Sequence, residues 1–352
     1  MRRLPARLIA PDRRTLLTGV AALGLSAGIS GCGPSEPPVD ESGRVRLRLA
    51  IDDRPGAGHG GFYQALATGL YEKRGLNVQM VRPGFNQDVP RALASGQADL
   101  GLASDSFVPL RLVEEEAPVK AVAAFFQTSP RALISHPDGQ ADTGISGLSR
   151  PIRIQVADTD RDTFWPWLKT TAGYTDDQLA DFDLRAFKDD PRAILLGDVT
   201  QLPTMAAHED ASPLSIQLLA EQGLASYGAM VLAPNAFARD NDDALRAFIA
   251  ASVEGWASYI DEDPAPAHAL IRRANRALTP ELLDQARTAL RDKAIVAGAD
   301  PASTPVGTMA ADRWRSFYES TVEAGIFPAG LDWQQAFTTD YLSPSAPSAA
   351  AA

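Results

Sequence analysis

A histidine set among glycines is the part of this sequence best suited to ligand chemistry. The segment reads Gly56-Ala57-Gly58-His59-Gly60-Gly61. Glycines allow a backbone to approach a ligand closely, and an imidazole ring can donate or accept a hydrogen bond. His59 is therefore predicted to bind a small ligand, and a heteroaromatic ring would suit it. A surface histidine that caps a helix is the alternative.

The same glycines match the letters of the dinucleotide-binding motif Gly-x-Gly-x-x-Gly. That motif needs its first glycine at the end of a strand. In this sequence Asp53-Arg54-Pro55 separate the predicted strand from Gly56. The next predicted strand ends at Val81-Arg82, without the acid that binds a ribose hydroxyl. An exported Rossmann oxidoreductase is thus an alternative from another functional class, and the spacing disfavours it.

No arrangement typical of catalysis or metal binding stands out elsewhere. The four histidines, at 59, 136, 208 and 268, lack the spacing of metal ligands. Cys32 is the only cysteine, which excludes an intramolecular disulfide and a cysteine-rich metal cluster. We therefore predict no catalytic residue, no metal and no cofactor, so that the protein is not an enzyme.

Composition indicates a folded protein with a sizeable core. The chain has 352 residues, of which 45% are hydrophobic and 22% charged, and this excludes a wholly disordered or fibrous protein. The length allows two domains. A formal net charge of −11 disfavours nucleic-acid binding, which requires a basic surface.

Residues 1–31 have the layout of an export signal. They hold five arginines and one acid, followed by a run, Leu16 to Ile29, that is too short to span a bilayer. The segment Arg13-Arg14-Thr15-Leu16-Leu17 resembles the twin-arginine export motif. An ordinary Sec signal is the alternative.

The signal ends in a segment that resembles the bacterial lipobox, Ile29-Ser30-Gly31-Cys32. Cys32 is therefore predicted to carry lipid and to anchor the protein on the periplasmic side of the inner membrane; a buried structural cysteine is the alternative. Residues 32–44 are predicted to be a flexible tether, and residues 345–352 a disordered tail.

The elements that must position these residues alternate between strand and helix patterns, and the chain beyond about residue 232 is helical. Strands are predicted at Val45–Ile51, Leu76–Val81, Asp99–Ala103, Val119–Phe126, Arg131–Ser135, Pro151–Ala157, Ser215–Ala220 and Tyr227–Leu232. Helices are predicted at Gly61–Arg74, Asp88–Ser95, Thr163–Thr171, Asp243–Ile260, Pro266–Ala274, Pro280–Asp292 and Ala310–Ala324. This order predicts an α/β protein with mainly parallel sheets.

Several segments, in order, resemble the NMT1/THI5-like (SsuA/THI5-type) solute-binding lipoproteins of ABC importers, from about residue 45 to 344. They are His59-Gly60-Gly61-Phe62-Tyr63-Gln64-Ala65, Gly69-Leu70-Tyr71-Glu72, Gly75-Leu76-Asn77-Val78, Leu93-Ala94-Ser95-Gly96-Gln97-Ala98-Asp99-Leu100-Gly101, Phe126-Gln127-Thr128-Ser129-Pro130, Thr163-Phe164-Trp165-Pro166-Trp167-Leu168 and Val306-Gly307-Thr308-Met309 with Arg313-Trp314.

The resemblance implies the type II periplasmic-binding-protein fold, with two α/β lobes and a ligand cleft between them. Lobe I would comprise 44–130 plus 229–344, and lobe II 131–228. The lobes would close on a small ligand. The partners implied are an ABC permease, its ATPase and, through the lipid, the membrane; a monomer is expected.

The resemblance also suggests a thiamine-precursor pyrimidine as ligand, with sulfonate, nitrate-like anion or riboflavin as alternatives. Pyrimidine binders of the family carry Asp-Trp-x-Pro-Asn-x-x-His where this sequence has Asp52-Asp53-Arg54-Pro55-Gly56-Ala57-Gly58-His59. Asp53 replaces the tryptophan and Gly56 the asparagine, so the stacking platform is missing. Arg54 or Asp53 is predicted to pair with a polar or charged ligand instead; a solvent-facing pair is the alternative.

Further side chains are predicted to contact the ligand because of their places in the implied fold. They are Tyr63 at the start of the first helix, Ser104 and Asp105 after the third strand, Gln127 and Thr128 near the first crossing between lobes, Trp165 for stacking, Glu209 where the family often has a cleft-facing glutamate, and Tyr227 at the return crossing. Capping of the next helix is the alternative role for Ser104 and Asp105.

Overall fold

A computed structural model describes residues 39–82, 88–136, 153–202, 214–302 and 304–342. All of these belong to the compact unit Glu36–Ala352, and the chain's other unit is Met1–Ser35. Some predictions lie outside the described residues, namely the export signal with Cys32, the contact of Glu209 and the tail 345–352.

The described strands form two five-stranded sheets. They are β1 Val45–Ala50, β2 Leu76–Val81, β3 Leu100–Asp105, β4 Val119–Phe126, β5 Arg131–Ser135, β6 Ile154–Val156, β7 Leu179–Asp181, β8 Ile194–Asp198, β9 Ser215–Leu218 and β10 Gly228–Pro234. The helices that cover them are α1 Gly60–Ala67, α2 Val89–Ala94, α3 Phe107–Glu114, α4 Phe164–Ala172, α5 Leu184–Asp189, α6 Asn235–Asp240, α7 Asp242–Asp261, α8 Ala265–Ala274, α9 Pro280–Asp292 and α10 Ala311–Glu323.

The two sheets have the same strand arrangement. The first has the order β2-β1-β3-β10-β4 and the second β7-β6-β8-β5-β9. β1 is parallel to β2 and β3, and β6 is parallel to β7 and β8, whereas β10 and β5 are antiparallel to their neighbours. Each sheet therefore presents the carboxyl ends of its parallel strands at one edge.

The chain leaves the first sheet after β4 and returns to it at β10, so two segments, 127–130 and 219–227, cross between the sheets. This is the type II periplasmic-binding-protein fold, with two lobes and a cleft between them, that the resemblance predicted. The lobe limits 44–130 plus 229–344 and 131–228 stay a prediction.

Close packing explains the glycines beside His59. A Cβ at Gly60 would overlap the ring of Tyr259, and one at Gly61 would overlap the indole of Trp256, both on α7. These glycines let α1 lie directly against α7, which fixes the start of α1 and with it His59. The predicted helix 61–74 is shorter, because Gly69 takes a left-handed φ of +72° after α1 ends.

Five of the described strands and α-helices were not predicted, namely α3, α5, α6, β7 and β8. β8 has only three apolar residues in succession, Ile194–Leu196, and hydrogen-bonds to β5 and β6 on its two sides. Within the part of the chain that the structure describes, every helix is too short or too polar to cross a lipid bilayer.

Candidate functional site

A cavity of about 660 Å³ lies between the two sheets. Leu102, Phe126 and Ala229 line it from strands of the first sheet, and Leu196 and Gly197 from a strand of the second. In sheets of this kind, ligands bind outside the carboxyl ends of parallel strands. The cavity occupies that position in both lobes at once.

Aspartates follow four of the parallel strands and line this cavity. Asp52 and Asp53 come after β1, Asp105 ends β3, Asp160 lies in the turn after β6, and Asp198 ends β8. The fold thus gathers carboxylates that are far apart in sequence. This acidic lining is the main feature of the site.

One guanidinium stands among the buried carboxyl groups. Arg131 begins β5 and is the register partner of Asp198 on β8. Its two terminal nitrogens donate to the two oxygens of Asp160, at 2.8 and 3.2 Å. The guanidinium also lies over the ring of Phe164, 4.7 Å from the centroid. Arg131 is therefore held by groups of its own sheet and its flanking turn and helix.

Asp105 is 7% exposed, and its own segment supplies its hydrogen bonds. Oδ1 accepts from the backbone N–H of Phe107 at 2.9 Å, and Oδ2 accepts from the Ser104 hydroxyl at 3.0 Å. Burial raises the pKa of Asp105, and the charge of Arg131 opposes that rise. Asp105 thus accepts from the N–H of the first residue of α3 while it lines the cavity.

Asp198 and Asp160 have similar electrostatics. Oδ1 of Asp198 accepts from both the N–H and the hydroxyl of Thr200, each at 2.7 Å. Burial raises the pKa of Asp198 and the pKa of Asp160, and the charge of Arg131 lowers both pKa values. The charges of Asp105 and Asp198 raise the pKa of Asp160 further. Three carboxyl groups therefore share the field of one arginine.

His59 meets the cavity from the first lobe. His59 is 6% exposed, and its Nε2 lies 3.1 Å from Oδ1 of Asp52. A carboxylate can only accept, so the neutral ring is assigned its proton on Nε2, which leaves Nδ1 an acceptor. Among the described residues, Nδ1 has no hydrogen-bond partner.

The loops after β1 and β8 meet at one side of the cavity. The side-chain amide of Gln201 donates to Oδ2 of Asp53 at 3.2 Å, and Gly58 lies beside Thr200. A smaller cavity of about 360 Å³, lined by Arg54 and Asp53, lies next to this contact. The two lobes therefore touch through polar side chains near His59.

Of the predicted contacts, the structure brings His59, Ser104 and Asp105 together at the main cavity. Arg54 is exposed and lines the smaller one. Tyr63, 5% exposed, packs in the core, where burial raises its pKa to about 12. These placements do not test ligand binding, so the predicted contacts stay predictions.

The other predicted residues that the structure describes lie outside the lining of the main cavity. Gln127 is buried and donates to the carbonyls of Ala124 and Thr308. Trp165 is 3% exposed and donates from its indole to Asp176. The backbone N–H of Thr128 donates to the carbonyl of Ile295.

Tyr227 is buried at the return crossing. Its hydroxyl accepts from the N–H of Ala310, and its ring lies 4.0 Å below the guanidinium of Arg313.

Arg131, Asp160 and Asp198 were missed as candidates. A usable signal existed for Asp160, which shortly follows the predicted strand Pro151–Ala157. Among the described residues, no group of three His, Cys, Asp or Glu side chains has the arrangement of a metal site.

Residues 57–145 match the model of the NMT1/THI5-like family. This match confirms the resemblance that the motifs predicted. The matched segment begins within the turn that carries His59 and includes Asp105 and Arg131. The chain matches no curated protein sequence.

Solved structures with a similar fold cover most of the chain. The periplasmic aliphatic sulphonate binding protein SsuA from Escherichia coli has a TM-score of 0.59 at 15% identity and covers 83% of this chain and 97% of its own. The periplasmic nitrate-binding protein NrtA from Synechocystis PCC 6803 has a TM-score of 0.55 at 10% identity, covering 82% and 84%. The desulfurization enzyme DSZB has a TM-score of 0.54 at 11% identity, covering 85% and 97%.

At these identities the likeness shows the fold alone. Two of the three structures are named as binding proteins and one as an enzyme.

Proposed function

We propose that this protein is the solute-binding component of an ABC importer. The observation that carries the proposal is the cavity of about 660 Å³ between two sheets, lined by both lobes at the carboxyl ends of their parallel strands. That volume lies in the range of small-molecule sites, which is about 300–1,000 Å³. SsuA and NrtA, which share the fold, are named for binding small solutes.

The mechanism we propose is capture in the open cleft, closure of the lobes, and delivery of the closed form to a membrane permease with its ATPase. Closure removes a small ligand from water between the lobes, and the free energy gained is offset by the cost of ordering both partners. The hydrogen bond between Gln201 and Asp53 links the two lobes near His59.

The ligand we propose is a thiamine-precursor pyrimidine or a heteroaromatic molecule of similar size. An exocyclic amine on such a ring donates hydrogen bonds, and the carboxylates of Asp105 and Asp198 and the Nδ1 of His59 accept them. Sulfonate, nitrate-like anion and riboflavin are the alternative ligands within the same role.

The location we propose is the periplasmic side of the inner membrane. Export would follow the twin-arginine or the Sec route, and lipid on Cys32 would hold the protein as a monomer at the bilayer. The basic start, the apolar run and the lipobox-like end of residues 1–32 support this proposal.

A thermal-shift panel tests the binding role. The panel contains thiamine-precursor pyrimidine, thiamine, riboflavin, taurine, an alkanesulfonate and nitrate. A compound present at about 100 times its Kd adds about 2.7 kcal/mol to the free energy of unfolding. His59→Ala should remove most of that shift and change the ligand-free melting temperature little. Turnover of a compound, or no shift with any of them, would contradict the proposal.

A further inference from the structure

We infer that the cleft takes a cationic ligand, a small organic molecule with a protonated nitrogen, and that Asp105, Asp198 and His59 accept its N–H groups. This inference rests on the proposed solute-binding function and names the ligand class of the same site. It sets this cleft apart from one that would hold a sulfonate or nitrate.

The charges around the cavity are unequal. Among the described residues of its lining, six are acidic and two are arginines. The acidic residues are Asp52, Asp53, Asp105, Glu115, Asp160 and Asp198. A ligand that enters therefore meets an excess of negative charge, which attracts a cation and repels an anion.

The two arginines are already paired with other groups. Arg131 donates to both oxygens of Asp160 and lies over Phe164, and Arg111 donates to Glu114 at 2.6 Å. An anion at Arg131 would have to compete with the charge of Asp160 while lying between other carboxylates. Neither guanidinium is therefore positioned as a free anion receptor.

The carboxylates retain capacity to accept further hydrogen bonds. Each ionised carboxylate has about four acceptor positions. The carboxylate of Asp105 accepts from the N–H groups of Phe107 and Val108 and from the Ser104 hydroxyl. Oδ1 of Asp198 accepts two bonds from Thr200, and Oδ2 accepts none within the described chain. Both side chains can thus receive N–H donors from a ligand.

His59 provides an independent indication of a donor-rich ligand. Its Nε2 is engaged by Asp52, and its Nδ1 has no partner within the residues that the structure describes. An acceptor nitrogen on a residue that is 6% exposed is costly to leave unpaired. His59 lines the same cavity, and we assign a ligand N–H as the partner of this buried nitrogen.

The pKa directions agree with this geometry. Burial raises the pKa of Asp105 and of Asp198, and the charge of Arg131 lowers both. Arg131 also lowers the pKa of Asp160, so its charge acts on three carboxyl groups. A bound cation would act in the same sense as Arg131 and favour the ionised carboxylates.

Size-matched probes of different charge test the inference. Benzamidine, benzamide and benzoate have the same ring and are cationic, neutral and anionic at pH 7.5. Calorimetric titration should show benzamidine binding at least about tenfold more tightly than benzamide, and benzoate more weakly than either. The advantage of benzamidine should shrink as salt is added.

Variants locate the charge that is responsible. Asp198→Asn and Asp105→Asn should each weaken benzamidine binding about tenfold and leave benzamide binding unchanged. Asp158→Asn is the matched control, because Asp158 lies in the same turn as Asp160 but its side chain is 98% exposed. The control should bind benzamidine like the wild type, and melting temperatures check that each variant is folded.

The outcomes separate this inference from the proposed function. Tighter binding of benzoate, an alkanesulfonate or nitrate than of any cation would overturn the cationic class while keeping the solute-binding role. Equal benzamidine affinity in wild type and both aspartate variants would overturn the assignment of Asp105 and Asp198. A protein that binds no probe and no member of the thermal-shift panel would contradict both proposals.

Discussion

At the level of single residues, Arg131 is the group on which the buried carboxylates depend. Its side chain is 20% exposed and that of its partner Asp160 only 3%. Removal of one member of a buried ion pair leaves the other charge without a partner, which costs far more than the pair contributes. Asp105 and Asp198 add their repulsion to the carboxylate that would remain.

We expect Arg131→Gln to lower the free energy of unfolding by about 3 kcal/mol, as measured by urea denaturation at pH 7. The double variant Arg131→Gln/Asp160→Asn should recover most of that loss, because it removes the unpaired carboxylate. A double variant as unstable as the single one would show that Arg131 acts through packing on Phe164 instead.

A pH dependence follows from Asp105. Because burial raises its pKa in the folded state, the folded protein holds the proton more tightly than the unfolded chain does. The carboxyl group therefore destabilises the ligand-free fold near neutral pH, and this penalty is relieved as the pH falls through the raised pKa.

Comparison with Asp105→Asn cancels the contribution of groups remote from Asp105. His268, whose pKa is lowered by burial, opposes the trend but is present in both proteins. We expect the wild type to gain stability relative to Asp105→Asn between pH 7 and pH 4 in urea denaturation. A difference that stays constant over this range would contradict the raised pKa.

At the level of elements, α10 joins the two crossing segments. Arg313 on α10 donates to the carbonyls of Gln127, at 2.5 Å, of Ala225, at 2.8 Å, and of Ser226, at 2.7 Å. Its guanidinium also lies over Tyr227. One side chain of the first lobe thus fixes both segments that a hinge motion must bend.

Arg313→Lys should destabilise the fold by about 2 kcal/mol, because an ammonium cannot reproduce three separated hydrogen bonds to buried carbonyls. Hydrogen exchange should become faster at the amides of residues 225–228. Arg315→Lys is the control, since Arg315 lies on the same helix with its side chain 54% exposed. Equal stability of the two variants would mean that Arg313 does not hold the crossings.

Sequence patterns predicted most of the sheet framework but less of the site. β2, β4 and β5 were predicted at the bounds they have, and Asp105 was a candidate because β3 was recognised. Asp198 was missed because β8 was not predicted: the strand is short, and pairing with β5 and β6 stabilises it. Register between distant segments, which sets Arg131 opposite Asp198, cannot be seen in local periodicity.

Helix orientation limited the prediction in the same way. The aromatic run at the start of α4 was predicted to offer Trp165 for stacking. Phe164 is the residue that lies under Arg131, while Trp165 turns to Tyr174 and Asp176. Which side of α4 faces the cavity depends on how the helix packs, and adjacent residues point in different directions.

At the level of the whole molecule, the repeated sheet order explains why the site is acidic in both lobes. Each sheet places its parallel carboxyl ends at the cavity, and each supplies aspartates there. Neither lobe encloses the cavity alone. A ligand that bridges Asp105 and Asp198 would therefore bind both lobes, which couples affinity to closure.

The proposed attachment to the membrane gives the last prediction. Acyl chains contribute about 0.8 kcal/mol per buried CH₂, so several chains on one residue hold a protein stably at a bilayer. Cys32 is the only cysteine in the chain, so thioether-linked lipid has a single possible position.

We expect Cys32→Ser to move the exported protein from the detergent phase to the aqueous phase in detergent partitioning. Ser30→Ala, which keeps a small residue and the cysteine, should remain in the detergent phase. Retention of Cys32→Ser in the detergent phase would require another means of attachment.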